Sequence, residues 1–428
     1  MGRTLESRRA VFSATKLCFI MTRNVLANRR SRPALPPGGL TAMLAAVLAT
    51  AACGATPAPG TPSTSTAPPV NSAAVPGQPP DIRIATDLPA TSQFGPSEQD
   101  GVQLAIDDAT EQGLLPDYQL SLVSDAGPQG VLAAIADPSV LGVVGPVTSA
   151  QSAADLPSGE SAPLAFVSPS AGDQPAGVVP AFRLAVSASV QGAALADFAA
   201  KTKLLRTAYV VDDTQPEGQA LAAAFTDEWR LLGGQVTGQV SVPAGTTSYV
   251  NVLTQASVTR PDLIFYGGDA ATGAISLRQQ MLQVPGLKNT VFVGGDGAHT
   301  AAFAQAIGST STTYSATAGP DGSDDPGFRT RFVTRFGAGS ISTYSAAAYD
   351  ATMILLHAII TARSGGTLTR PAVLAAVAAT NYQGTGATWS FDVTGGPATR
   401  IVTIYTPAPA NLSQGDGWQY VTSICPTC

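Results

Sequence analysis

Residues 261–270, PDLIFYGGDA, and residues 290–297, TVFVGGDG, decide the fold. Each carries a short apolar run and ends in Gly-Gly-Asp. Uninterrupted apolar runs of this length fit strands covered on both faces, the usual condition of parallel strands in an α/β layer. Between them Thr272–Gln283 reads as a helix. Strand, helix and strand, with a glycine-rich tip after each strand, form one step of a doubly wound sheet.

The same step repeats in both directions. Upstream, strands are expected at Ile82–Asp87, Tyr118–Val123, Val140–Val144 and Leu164–Val167, with helices at Gly101–Thr110 and Gly130–Ala136. A second series follows Phe182–Val186: a helix over Gln191–Ala200, a strand at Thr207–Val211, and a helix whose Leu221, Phe225, Trp229 and Leu232 share one face. Strands at Gln235–Val242, Asp262–Tyr266 and Thr290–Val293 alternate with helices near Ser248–Ser257 and Thr272–Gln283. Helices at Pro326–Phe336, Ser345–Ala362 and Arg370–Ala378 precede a strand-rich tail. Two such series predict an α/β protein of two doubly wound parallel-sheet lobes joined by a multi-strand hinge. The expected division is 81–187 plus 320–385 for the first lobe and 188–319 plus 386–428 for the second. Crossings are expected near Val186–Ser189, Ala318–Asp321 and Gly384–Ala387.

Open α/β sheets bind ligands beyond the carboxyl ends of their strands. Polar, glycine-rich tips collect there: 145–149 (GPVTS), 168–172 (SPSAG), 212–215 (DDTQ), 267–269 (GGD) and 294–297 (GGDG). Tips from two lobes can converge on one cleft.

Composition narrows the function. Of 428 residues 12% are charged, against about 25% in an ordinary soluble domain. The one uncharged apolar run that stands out, Leu40–Ala52, is shorter than the roughly 20 residues a spanning helix needs, which excludes a polytopic membrane protein. The first 53 residues hold eight of the 23 basic residues and one of the 29 acidic ones, so the body carries 15 against 28, a net charge of −13. An acidic body argues against a nucleic-acid partner, which needs a cationic footprint.

The basic residues belong to an export signal. A positive stretch ending at Arg32, the apolar Leu40–Ala52 and the small residues before Cys53 have the order of a secretory leader. A cysteine at the cut point resembles the bacterial lipobox, with Thr50 where leucine is usual, and implies lipidation of Cys53. The leader is long, and Met21 is an alternative start. Residues 54–80 are almost wholly Ala, Pro, Thr, Ser and Gly, the composition of an extended spacer. At the C-terminus, Cys425 and Cys428 are expected to form a local disulfide, the default for an exported chain.

These segments resemble the bacterial substrate-binding proteins of branched-chain amino-acid ABC transporters, the Leu/Ile/Val-binding family with the type I periplasmic-binding-protein fold. The matching pieces run in family order over nearly all of 81–405. They include VLGVVGPVTSAQSAA, APLAFVSPSA, TAYVVDD, PDLIFYGGDA, TVFVGGDG and STYSAAAYDA. The resemblance implies a receptor on the outer face of the cytoplasmic membrane that delivers an amino acid-like ligand to an ABC permease, without cofactor. It implies that Ser149 takes a ligand carboxylate and that Ser170 and the Gly172 amide add donors. Asp296 lies where an acid pairs with the ligand ammonium, Phe94 where an aromatic covers the ligand, and Tyr344 at a second wall. Gln215 and Asp269 stand where the family commonly has tyrosine, which points away from a purely aliphatic ligand. The residue types agree on their own terms. Neutral hydroxyls and amides suit a carboxylate, and an acid suits an ammonium, so a zwitterion or a cationic amino compound fits.

Plainer roles stand beside these. Ser149 and Ser170 are good N-caps, Asp296 a good turn residue, and Asp350 a structural polar group near the hinge or a surface charge. His299 is expected to be an exposed helix-start residue and His357 a structural one. A Gly-x-Ser-x-Gly elbow, a dinucleotide fingerprint and metal-ligand spacing are all missing from the sequence. Two other classes use the same cleft: a lipoprotein receptor that signals to a partner protein, and a cell-wall-associated enzyme on a receptor-like fold.

Overall fold

The computed structural model describes residues 79–159, 162–174, 181–322, 325–366, 368–410 and 416–426; the leader, Cys53, most of the spacer and Cys428 lie outside the described residues. The first lobe is built on five parallel strands: β1 (Asp81–Thr86), β2 (Gln119–Ser124), β3 (Val140–Val144), β4 (Ala165–Ser168) and β5 (Ala181–Arg183), in the order β2-β1-β3-β4-β5. All five residues of β3 are buried, as a strand covered by helices on both faces must be. Helices α1 (Gly95–Glu111), α2 (Pro128–Ala136) and α3 (Ser149–Asp155) connect these strands.

The chain then crosses to the second lobe. Its helices are α4 (Ala188–Asp197), α5 (Pro216–Leu231), α6 (Val250–Thr259), α7 (Ile275–Gln283) and α8 (Ala301–Ile307). Its parallel strands are β6 (Thr207–Asp212), β7 (Gln235–Ser241), β8 (Leu263–Gly267), β9 (Val291–Gly294) and β10 (Thr313–Thr317). Returning to the first lobe, α9 (Pro326–Phe336), α10 (Ser345–Ser364) and α11 (Arg370–Ala378) pack on α1, β3 and β4, followed by the hairpin β11 (Tyr382–Gln383) and β12 (Thr388–Trp389). The tail adds β13 (Val402–Pro407) antiparallel to β10 and β14 (Trp418–Ile424) antiparallel to β13, giving the second sheet the order β14-β13-β10-β9-β8-β6-β7. The two-lobed α/β architecture expected from the sequence is present.

Helix α10 is long and apolar enough to span a membrane, but 83% of that stretch is buried inside the protein, so it is the core helix of the first lobe. It lies so close to α1 that a Cβ on Gly101 would sit 2.3 Å from the Ser345 carbonyl oxygen.

The crossings are pinned by backbone hydrogen bonds: Val186 N–H donates to Ala318 O (2.7 Å) and Arg183 N–H to Gly395 O (2.9 Å). The expected crossing at Gly384–Ala387 needs correction. That turn closes the β11–β12 hairpin through Gly384 N–H to Ala387 O, and the chain reaches the second sheet only between Trp389 and Val402. Asp350 holds the turn within the first lobe, accepting from Trp389 Nε1 (2.7 Å), Thr385 N (3.0 Å) and Thr385 Oγ1 (3.2 Å). It is a structural group, buried to 1% exposure. His299 is likewise buried, not exposed. Its ring stacks on Trp418 at 4.4 Å and hydrogen-bonds Ser315 Oγ and Asp416 Oδ2.

Candidate functional site

Strand ends from both sheets meet around a cavity of about 490 Å³. From the first lobe come residues 91–94, ahead of α1, with Val147, Thr148, Ala150 and Ser170. From the second come Asp213 to Gly218 at the start of α5, Leu221, the β8 tip Gly268 and Asp269, Ala271, and the β9 tip Asp296 and Gly297. Each tip is shaped by its own sequence. In the β6–α5 turn Asp213 Oδ1 accepts the Gln215 N–H (3.1 Å) and Oδ2 accepts Thr272 Oγ1 (2.8 Å), while Thr214 adopts a left-handed φ of 65°. Gly218 lets α5 approach this turn, since a Cβ there would lie 2.3 Å from Asp213 Oδ1 and 2.6 Å from Gly267 O.

Six of the eight expected ligand residues converge on this region. Phe94, Ser170, Gln215, Asp269 and Asp296 line the cavity. Tyr344, 3% exposed, stands behind Phe94 with the rings edge to face at 4.9 Å, and its hydroxyl donates to Asp296 Oδ2 at 2.5 Å. Gln191 Nε2 donates to the other Asp296 oxygen at 2.9 Å. Asp296 therefore takes one donor from each lobe. Gly172 lines a smaller adjoining pocket with Val186, Ala188 and Gln191. Ser149 is not on the lining; its hydroxyl accepts the Asp173 N–H at 3.2 Å. The cap of α3 is Thr148, which accepts the Gln151 N–H, and the Ser170 hydroxyl is spent on Val147 O at 2.7 Å.

Three acids escaped the sequence reading: Asp213, Glu217 and Glu98. Glu217 sits in the first turn of α5, where an acid is expected merely to complement the helix dipole. The signal that could have found it is its position just beyond a strand tip that already carried two aspartates. Across the cleft it faces the Ser149 N–H. Burial, reinforced by the negative charges of Asp296, Asp269 and Asp173, pushes its carboxyl up to about 8 against the pull of that N–H. Asp269, on the exposed rim with its carboxyl against Gly297, is raised to about 6 by desolvation in the cleft mouth and by Asp296 and Asp213. Glu98 lies wholly buried beside Ser170, and burial raises it to about 8.

The lobes are held together at the cleft by Tyr344 on Asp296, by Gln93 Nε2 on Gly297 O (3.1 Å) and by Thr343 Oγ1 on His299 O (3.2 Å). A second cavity of about 490 Å³, lined in part by Asp100, His299 and Asp416, opens on the far side of Gln93 and Phe94. Cys425 is disulfide-bonded; Cys428 lies outside the described residues. Among the described residues no group of three or more His, Cys, Asp or Glu is placed to hold a metal ion.

Known proteins share this architecture. A leucine-binding protein, LivK, of Thermotoga maritima is 22% identical with a TM-score of 0.67, over 81% of this chain and 99% of that one. The branched-chain amino-acid transporter substrate-binding protein LivJ of Streptococcus pneumoniae, in complex with isoleucine, is 19% identical with a TM-score of 0.67, over 81% and 99%. A solute-binding protein of R. palustris in complex with benzoate is 15% identical with a TM-score of 0.65, over 81% and 96%. No curated protein sequence matches the chain. The profile of one family, described as periplasmic binding protein, matches residues 82–409. With the fold, the cleft and that match in agreement, this chain belongs to the periplasmic binding protein family.

Proposed function

We propose that this protein is an extracytoplasmic solute-binding lipoprotein that captures a small amine-bearing ligand between its lobes and delivers it to an ABC permease. The observation that carries the reading is Asp296, an acid in the interlobe cavity whose carboxylate is positioned by one donor from each lobe, Tyr344 and Gln191. Such a carboxylate is organised only when the lobes meet, so ligand capture and hinge closure become one event. A ligand ammonium in the desolvated cleft gains a charge-assisted partner there. The ligands named for the structural relatives run from isoleucine to benzoate. The shared fold therefore leaves the choice of ligand to the lining residues, and these are acidic. Lipidation at Cys53 with the spacer of 54–80 would hold the receptor beside its permease, and the acidic body argues against retention by anionic lipid alone.

The test is a thermal-shift panel of amino acids, amines and aromatic acids on the full-length chain, followed by calorimetry. An amine-bearing compound is expected to stabilise the protein, and Asp296→Ala to weaken its binding about 30-fold or more. Uptake of the same compound should fall in cells lacking the protein. Stabilisation by none of the panel, or unchanged affinity in the Asp296 variant, would sink the reading. Cys53→Ala is expected to release the protein into the medium; continued membrane attachment would exclude the anchor.

A further inference from the structure

Building on the cleft reading above, we infer that the ligand is a small organic cation with two positive groups and no carboxylate, an aliphatic diamine or its guanidino equivalent. Four carboxylates line the main cavity, Asp213, Glu217, Asp269 and Asp296, and the lining contains no Lys, Arg or His. Behind the wall, Glu98 is fully buried next to Ser170, where burial keeps it protonated at neutral pH. A carboxylate on the ligand would enter this acidic lining with no cation to receive it.

The two serines expected to cradle a carboxylate are committed elsewhere. Ser149 Oγ accepts from Asp173 N and is off the lining, Ser170 Oγ donates to Val147 O, and the Ser149 N–H is directed at Glu217. The protein's own Glu217, reaching over from the second lobe, thus stands where the carboxylate of an amino acid was expected. On this inference an amino-acid carboxylate meets an acid of the protein where a donor was expected, and a ligand without one is preferred.

Two positive groups follow from how the acids are satisfied. Each oxygen of Asp213 and of Asp296 accepts one hydrogen bond within the protein and keeps a lone pair for a ligand cation. Glu217 and Asp269 retain acceptor capacity, and they belong to different elements, the start of α5 and the tip of β8. Four acids on one lining, with no three-acid group among the described residues fit to hold a metal, point to two charges on one organic frame and not to a single metal ion. On the same lining Leu221, Pro216, Phe94 and Val147 offer apolar surface for the methylenes that join the charges.

The decisive comparison is 1,5-diaminopentane against lysine, which has the same two amines on the same chain plus a carboxylate, and against 1-aminopentane, which lacks one amine. Calorimetry on the full-length chain in Tris-free phosphate buffer should find the diamine bound about tenfold or more tighter than either. Glu217→Gln and Asp269→Asn should each weaken the diamine about tenfold while leaving 1-aminopentane less affected, with melting temperatures no lower than the parent's. Tighter or equal binding of lysine, leucine or benzoate overturns this inference and leaves the solute-receptor reading standing. Stabilisation by calcium or magnesium with no response to diamines also overturns it. Failure of every compound to bind removes the receptor reading and this inference with it.

Discussion

At the first turn of α1, Glu98 is 0% exposed and neither carboxyl oxygen accepts a hydrogen bond of ordinary geometry. Burial raises it from 4.5 to about 8, with the Ser170 hydroxyl pulling the other way. An acid whose folded value lies above its unfolded one holds its proton in the native state where the unfolded chain has lost it. Its contribution to stability is therefore intact below about pH 4.5 and declines until about pH 8. Glu98→Gln keeps the shape and removes the proton equilibrium. The variant should match the parent near pH 5 and be more stable near pH 8.5, by about 2–4 kcal/mol. Thermal melts at the two pH values check this, and an equal difference at both would refute the assignment. Nothing in the sequence around Glu98 marks it as buried, because GPSEQDG reads as a polar helix start. Only the packing of α10 across α1 and the Ser170 turn encloses it.

Among the elements, the β11–β12 hairpin shows how one acid can hold a turn in place within the first lobe. Asp350 lies on the core helix α10 and accepts from the Trp389 indole and from Thr385. Asp350→Ala would leave a buried indole N–H and a backbone N–H unpaired, a loss of about 2–4 kcal/mol. Asp350→Asn keeps an acceptor oxygen and should lose less. Denaturant titrations of both variants measure the difference, and equal losses would show that packing, not acceptance, is at stake. The helices and strands differ in how far their sequences announce them. Val140–Val144, Pro326–Phe336 and Arg370–Ala378 occupy the same residues in sequence reading and structure, because strong apolar patterns and capping residues bound them. Strand β10, Thr313–Thr317, has no such signal: TYSAT is mostly polar, yet all five residues are buried. Its hydroxyls are satisfied after folding, Thr313 by Arg278 Nε at 2.8 Å and Thr317 through the Gly319 carbonyl. Helix α1 starts at Gly95 instead of Gly101 for a related reason, since its first turn is held by Ser92, Ser97 and Ser342 and not by apolar periodicity.

At the scale of the whole molecule, cleft charge ties binding to pH. Glu217 faces Asp296, Asp269 and Asp173 together with the Ser149 N–H and the Tyr344 hydroxyl, and its value of about 8 leaves it largely protonated at neutral pH. A bound cation favours the ionised form, so binding should release a proton. Affinity for a diamine should rise from pH 6 to pH 8.5 as Asp269, at about 6, and then Glu217 give up their protons. Calorimetry near pH 7 in two buffers of different ionisation enthalpy would count that proton, and Glu217→Gln should abolish most of it. Affinity independent of pH over this range would remove Glu217 from the site.

The sequence by itself determined the alternation of buried strands and helices and the glycine-rich tips that follow the strands. Each of these is a local pattern of polarity and backbone freedom. It also singled out Asp296, whose Gly-Gly-Asp-Gly turn sits at a strand end. Only the tertiary structure decided that Glu217 faces the Ser149 amide, that Ser149 turns away from the cavity, and that Asp296 is gripped from both lobes. Those facts depend on where two sheets, far apart along the chain, bring their tips together. A carboxylate's role in such a cleft is set by the charges and donors across from it, and periodicity carries no record of what lies opposite.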